Sequence, residues 1–394
     1  MSWIKNREIT PVIFMAINYL VNFKNLKKIL KAHQIDLIIL PEDIVGDVTP
    51  LLVKAGHKLK IPSIILPYTI ANQREAFESL KNNPSISMAL KYNRIMGKYF
   101  KSWVMEENQH QVLRLPAGHV IGHLLTKTSP PDPWMMNSSF ANIIGVENTK
   151  MFEYYQNSGI PASKMVITGA CYDDELAHYL LNKDQELRKL HTRYNLNKIK
   201  PILLIGGFPN QLVSNPPGFD FESIEAAVDF IYYSLRDLLD KYHIIVRPHP
   251  NYPELSHMFE KKGFISSEID TLKLVALSDI YIAFASATIR WAISCGIPSI
   301  NYDIFHYNYG DYASVRGVIN VESKEDFAQA IININDKPYL DNLKNQLQIE
   351  KLDWGNLDGH SSQRIHQLIQ QLLTHKKLVS TNFQTVKEER YEID

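Results

Sequence analysis

The residues best placed to do chemistry stand where apolar runs end. His243-Ile244-Ile245-Val246 runs into Arg247-Pro248-His249-Pro250, and Ile280-Tyr281-Ile282-Ala283 runs towards Ala285-Ser286-Ala287-Thr288. A guanidinium donates in a fork that matches phosphate oxygens. A histidine beside it can donate a hydrogen bond or carry charge, and flanking prolines stiffen the turn and remove competing N–H donors. Ser286, Ala287 and Thr288 precede a helical segment, and a helix start offers free N–H groups and a positive dipole end. The blander readings are a strand-exit turn with a satisfied histidine and an ordinary N-cap. The two motifs together favour one anion site formed by Arg247, His249, Ser286, Ala287 and Thr288. Gly206-Gly207 ends a third apolar run and would let backbone approach a ligand closely, although any tight turn uses such a pair.

A second constellation is acidic. Glu42, Asp43 and Asp47 follow the apolar run Asp36–Leu40. A carboxylate at a strand end can act as general base on a hydroxyl; the competing reading is a solvated turn in which Asp47 or Thr49 caps the next helix. Glu42 or Asp43 is preferred to Asp47. Tyr68, Thr69 and Asn72 end a neighbouring run and would wall an acceptor site. Asp173-Asp174 reads as a rim or a helix start. Asp303, His306, Tyr307, Asn308 and Tyr309 follow the last strong strand, where the aromatics would stack a base or sugar, or simply pack. No Gly-x-Gly-x-x-Gly and no P-loop lysine signature occurs, which counts against dinucleotide and ATPase chemistry.

These residues need strands to hold them. Short β-rich runs at Pro11–Ile17, Asp36–Leu40, Ile61–Leu66, Ala141–Gly145 and Lys164–Gly169 alternate with helical patterns at Leu20–His33, Leu51–Leu59 and Asn148–Asn157. Arg74–Leu125 reads as mostly helical, with Ala76–Lys81 and Ser87–Val112 as helices, and Asp174–Leu196 as a helical connector. The pattern restarts with Lys200–Ile205, then Phe221–Leu239, the run ending at Arg247, Ser278–Ala283, Ala287–Cys295, Ser299–Asn301 and Val318–Val321. Alternation of this kind predicts parallel α/β layers. In such sheets the ligand lies outside the carboxyl ends of the strands. The expected domains are 1–195 on the acceptor side, 196–360 on the donor side, and a crossover helix with a polar, frayed tail over 361–394.

Bulk numbers set the frame. A chain of 394 residues, 45% apolar and 21% charged, suits two folded domains. Lys+Arg and Asp+Glu are equal at 42 each, so no global field draws it to nucleic acid. Its two cysteines, Cys171 and Cys295, lack metal-like spacing and read as buried thiols in a reducing cytoplasm. Asn18 interrupts the apolar N-terminal stretch, which lacks a small-residue cleavage site and reads as no signal peptide. No run reaches the length of a membrane span, which leaves peripheral membrane contact open.

The Arg-Pro-His-Pro turn, the Ala-Ser-Ala-Thr strand end and Gly296-Ile297-Pro298 resemble the donor half of GT-B type glycosyltransferases of bacterial surface-polysaccharide synthesis. Similar His-Pro and Ser/Thr motifs occur in bacterial sialyltransferases, Kdo transferases and CDP-glycerol glycerophosphotransferases. The stretch Met165–Leu176 also resembles the end of the first domain in that group and in the UDP-N-acetylglucosamine 2-epimerases. The resemblance implies two Rossmann-like domains facing across a cleft, with His249, Ser286 and Thr288 on the donor phosphates and Glu42 or Asp43 as the base. It implies an inverting transferase that needs no metal or other cofactor. The donor would be CMP- or CDP-linked first and UDP-linked second; the acceptor would be a glycan or lipid-linked hydroxyl in capsule or lipopolysaccharide synthesis, reached from the cytoplasm at the inner face of the membrane. The alternative is a nucleotide-sugar epimerase or hydrolase. Against it, Ser286-Ala287-Thr288-Ile289-Arg290 stands where the epimerases carry Gly-Gly and paired acids.

Overall fold

The computed structural model describes residues 2–67, 72–107, 110–137, 140–208, 218–249 and 254–388, with side chains described over 9–374 of these. Tyr68, Thr69 and Pro250, singled out above, lie outside the described residues. The contacts divide the chain into two compact units, Met1–Cys171 with Ser362–Asp394, and Tyr172–Ser361. This division falls ahead of the boundary expected near 195. The reason lies in packing within the second unit: Leu176 sits with Leu272 and Ala276, and Glu186 pairs with Lys273.

The first unit holds a four-stranded parallel sheet, β1 (Ile38–Leu40), β2 (Ser63–Ile65), β5 (Ile143–Val146) and β6 (Met165–Ile167), in that order. Ile64, Ile65 and Ile144 are fully buried, as a sheet covered on both faces requires. Between β2 and β5 comes an antiparallel hairpin of β3 (Val104–Glu107) and β4 (His110–Leu113). The expected helix over Ser87–Val112 is therefore confined to Lys91–Tyr99. Trp103, Val112 and Leu113 are buried, so this segment gains more from pairing than from continuing the helix.

The expected strand at Pro11–Ile17 is corrected more sharply. It lies inside one helix, Ser2–Ala32, with Pro11 within it. Proline disfavours a helix interior, and the apolar run mimicked a buried strand. Tertiary packing decides instead. Ala16 and Tyr19 are buried on the side towards helix Ala117–Thr126, where Gly118 and Gly122 permit close approach, and Leu30 packs with Ile38, Ala55 and Ile61. A Cβ on Gly118 would meet the Val12 carbonyl at 2.9 Å, and one on Gly122 the Tyr19 ring at 2.5 Å.

The second unit is a six-stranded parallel sheet. Its strands are β7 (Ile202–Gly206), β8 (His243–Arg247), β9 (Ile265–Ser266), β10 (Ile280–Ala283), β11 (Ser299–Tyr302) and β12 (Val318–Val321). The order is β12-β11-β10-β7-β8-β9. All residues of β7 and β10 are buried. Phe208 and Phe284, which follow these two strands, pack with ring centroids 4.5 Å apart.

Smaller differences have local causes. The connector expected over Asp174–Leu196 is two helices, Asp173–Leu181 and Lys183–Tyr194, broken at Asn182. Thr49 opens its helix with Pro50 behind it, and Val48, not Thr49, is the N-cap. The tail expected to fray from Lys376 stays helical to Glu388. Cys171 is exposed rather than buried, Cys295 is partly buried, and neither forms a disulfide.

Candidate functional site

The strand order of the second sheet fixes where a ligand belongs. Later strands build outward from β7 on one side and from β10 on the other, so the order reverses between these two strands. Crevices at such reversals, beyond the carboxyl ends, are the usual ligand sites of open α/β sheets. Because every pairing here is parallel, Gly206-Gly207, Arg247-Pro248-His249 and Ala285–Thr288 follow strands that end on the same edge. The sequence-predicted donor residues are thus brought to adjoining strand ends.

Close contacts within the protein, backbone at Gly207 and the Tyr281 ring at Gly206, explain the two glycines before any ligand does. Gly207 N–H donates to the Arg247 carbonyl at 2.7 Å. A Cβ on Gly207 would lie 2.4 Å from His249 N, and one on Gly206 2.5 Å from Tyr281 Oη. Arg247 is also partly committed. Its Nε donates to the Ile269 carbonyl at 2.8 Å and its Nη1 to the Pro248 carbonyl at 2.5 Å. The guanidinium therefore braces the turn that presents His249, which is itself half-buried.

At the end of β10 the hydroxyls form a chain. Thr288 Oγ1 lies 2.6 Å from Tyr281 Oη and 2.8 Å from Ser286 Oγ. Tyr312 Oη donates to the carbonyls of Ser286 and Ala287, both at 3.3 Å. Ala285 takes φ +45°, a region that non-glycine residues enter rarely. Burial pushes the Tyr281 hydroxyl up to about 12, with the Thr288 hydrogen bond partly opposing it, and raises Tyr312 well above the usual phenol range. Both phenols stay neutral. Thr288 occupies the N-cap position of helix Ile289–Cys295 without a side-chain cap bond, so the expected capping role falls away and its hydroxyl serves the chain instead.

The segment after β11 adds groups the sequence did not connect. Asp220 Oδ1 lies 2.6 Å from His306 Nε2, and Tyr302 Oη donates to Asp220 Oδ2 at 2.7 Å. Asp303 accepts the N–H groups of Tyr307 at 3.0 Å and Asn308 at 2.6 Å. His306 and Asn308 both sit at φ +53°. Phe219, Phe305, Tyr307 and Tyr309 form a ladder with successive centroid distances of 5.5, 5.1 and 4.9 Å. Asp220 was missed because 86 residues separate it from His306. Tyr281 was missed because it reads as one more strand residue.

The first unit separates the two candidate bases. Asp43 is wholly buried, with its N–H donating to Asn137 Oδ1 at 3.0 Å and its carbonyl accepting Asn137 N–H at 2.9 Å. Its carboxyl is closed off from solvent in this fold. Glu42 is partly exposed, and its carboxyl is raised first by burial and then by the charge of Asp47. Behind this loop lies a buried imidazole. Gly46 N–H donates to His123 Nε2 at 3.1 Å, and His123 Nδ1 lies 2.9 Å from Thr128 Oγ1. Nε2 must therefore accept, so Nδ1 carries the proton of a neutral ring. Burial pushes His123 down to about 4.

The remaining candidates have structural partners. Asn72 caps helix Gln73–Leu80 through the N–H groups of Arg74 and Glu75. Asp173 and Asp174 accept the N–H groups of Asn356 and Ser361. A pocket of about 310 Å³, lined in part by Val12, Met15, Leu90, Pro116 and His119, contains none of the residues singled out from the sequence. Among the described residues no cluster of three or more His, Cys, Asp or Glu is arranged to hold a metal.

No family model and no curated protein matches this chain. Solved structures do. S. aureus MnaA in complex with UDP aligns with a TM-score of 0.51 at 13% identity, over 91% of this chain and 82% of that one. A histidine-to-alanine variant of the wall teichoic acid polymerase TagF aligns with a TM-score of 0.50 at 13% identity, over 80% and 69%. A TagF structure soaked with CDPG aligns at 0.44 and 18% identity over 60% of this chain, which spans 58% of that chain. At these identities the likeness concerns the fold, and with the two parallel sheets it gives this chain a two-domain, Rossmann-like α/β fold of the GT-B kind.

Proposed function

We propose that the protein is a glycosyltransferase that moves a sugar from a nucleotide-activated donor to a hydroxyl of a surface-glycan acceptor, with inversion and without a metal. One observation carries this reading: three polar strand ends meet at the β7/β10 reversal, on the edge where nucleotides bind in such sheets. On it, His249 and the hydroxyls of Ser286 and Thr288 contact the donor phosphates. Arg247 braces the turn and keeps its remaining guanidinium donors for the same anion. Gly206-Gly207 let Tyr281 and the Arg247–His249 turn close in on β7, which sets where His249 and Thr288 stand.

Glu42 is the base. The acceptor oxygen attacks the anomeric carbon, its proton passes to Glu42, and the electron pair of the breaking C–O bond leaves on the phosphate. Fixed donors stabilise that developing charge. A single displacement of this kind inverts the centre. CMP- or CDP-linked donors come first. The UDP named with the MnaA structure supports a UDP-linked donor next.

A thermal-shift series with CMP, CDP, UDP and GDP tests the site, since a ligand of the folded state raises its stability. Failure of all four to stabilise the protein would sink the donor assignment. Product analysis then separates transfer from the alternative. Turnover only with an acceptor supports transfer. Altered free or nucleotide-bound sugar without one supports an epimerase or hydrolase.

A further inference from the structure

Helix Ser2–Ala32 leaves one long face uncovered. Ile13, Phe14, Ile17, Leu20 and Val21 recur at helical spacing and are 51, 63, 51, 38 and 47% exposed. Lys24, Lys27, Lys28 and Lys31 continue the same stripe at the same spacing, three exposed and Lys27 half-buried. With a rise of 1.5 Å per residue the stripe is about 27 Å long, apolar in its first half and cationic in its second. No acidic residue occurs between Glu8 and Asp36. Among the described residues none of the four lysines forms an ion pair. The buried side of the helix, with Ala16, Tyr19 and Leu30, is already packed, so the stripe is not spare core.

An apolar row that leads into unpaired cations calls for a partner with a greasy layer bounded by negative charge. A nucleic acid offers the charge without the layer. A second copy offers the layer but brings further lysines to the same face. An anionic phospholipid interface offers both, and no helix among the described residues is long and apolar enough to cross a membrane. We propose that this face docks the protein on an anionic phospholipid surface, with the Ile13–Val21 stripe entering the acyl boundary and Lys24, Lys27, Lys28 and Lys31 on the headgroup phosphates. No residue of this face belongs to the proposed donor site.

Co-flotation of the full chain with vesicles tests it. Binding is expected to be at least about tenfold stronger when phosphatidylglycerol makes up about a third of phosphatidylcholine vesicles than when it is absent. High salt should weaken it. Replacing the four lysines together (Lys24→Gln, Lys27→Gln, Lys28→Gln, Lys31→Gln) should lower partitioning about a hundredfold. Phe14→Ser with Ile17→Ser should lower it as well, while circular dichroism and the melting temperature stay those of the parent. Equal flotation of parent and both variants, or no flotation of the parent on anionic vesicles, overturns the proposal. A dimer in sedimentation that Phe14→Ser with Ile17→Ser abolishes, without vesicle binding, assigns the face to a second copy instead.

Discussion

Tyr281 Oη and Thr288 Oγ1 lie 2.6 Å apart, and this contact ties the interior of β10 to the turn beyond its end. The same phenol occupies the space a Gly206 side chain would need. One buried tyrosine therefore couples both strands of the β7/β10 reversal. Tyr281→Phe keeps the ring and removes only the hydroxyl. It is expected to cost about 1 kcal/mol of stability and, by freeing Thr288, to weaken nucleotide binding roughly tenfold, about 1.4 kcal/mol. Calorimetric titration of the variant checks this; unchanged affinity would remove Thr288 from the donor site.

Gly207→Ala should be felt in the fold before it is felt in catalysis. Its Cβ would approach His249 N to 2.4 Å and the Arg247 carbonyl to 2.8 Å, and backbone has little room to move. A loss of about 1–3 kcal/mol is expected, as for overpacked cores, read from urea midpoints at unchanged slope. Nucleotide binding by the folded fraction should fall too, because the turn that presents His249 is displaced.

Glu42 and Asp43 should give opposite phenotypes. Glu42→Gln is expected to lower kcat about 10²–10⁴-fold with little change in stability. Asp43→Asn should change stability, since its side chain is sealed. Glu42 titrates above the ordinary 4.5, so the parent should lose rate as pH falls through that raised value, and the base is active above it. A Glu42→Gln enzyme that keeps its kcat would refute the assignment.

Stability should depend on the imidazole behind the same loop. His123 titrates at about 4 in the fold against an ordinary 6.5. Between those values the unfolded chain binds more protons, so stability rises with pH. It should be level above about pH 6.5, decline as pH falls through the window, and flatten below about 4, with a loss of roughly 3 kcal/mol. Burial lowers His119 in the same direction. Denaturant melts at several pH values check the slope, which His123→Gln should reduce.

Asp220 bridges to His306 and Tyr302. Asp220→Asn would break the charge-assisted contact to His306 and weaken the one to Tyr302. Expected results are a loss of about 1.5–3 kcal/mol and a loosened 303–309 segment, seen as faster amide exchange there than at β11.

The sequence by itself determined most strands of both sheets, because runs such as Ile244–Val246 and Ile280–Ala283 are too short, too apolar and too sharply ended for much else. It also located the polar strand ends, since Pro, Gly and small hydroxylated residues punctuate them. Where periodicity was ambiguous it failed. Pro11–Ile17 satisfies both a strand and a buried helical pattern, and only the close seat on Gly118 and Gly122 selects the helix. Residues 104–107 and 110–113 pair antiparallel for a comparable reason, the burial of Trp103 and Leu113. Roles within the site belong to tertiary structure. Glu42 and Asp43 are adjacent in sequence, yet one is partly exposed and the other wholly buried, its backbone held by Asn137 far along the chain. Arg247 reads from the sequence as an anion ligand, and only the fold shows that Ile269 and Pro248 claim two of its donors and leave the others. Local chemistry sets which residue types stand at a strand end; burial and long-range hydrogen bonds decide which of them remain available to a ligand.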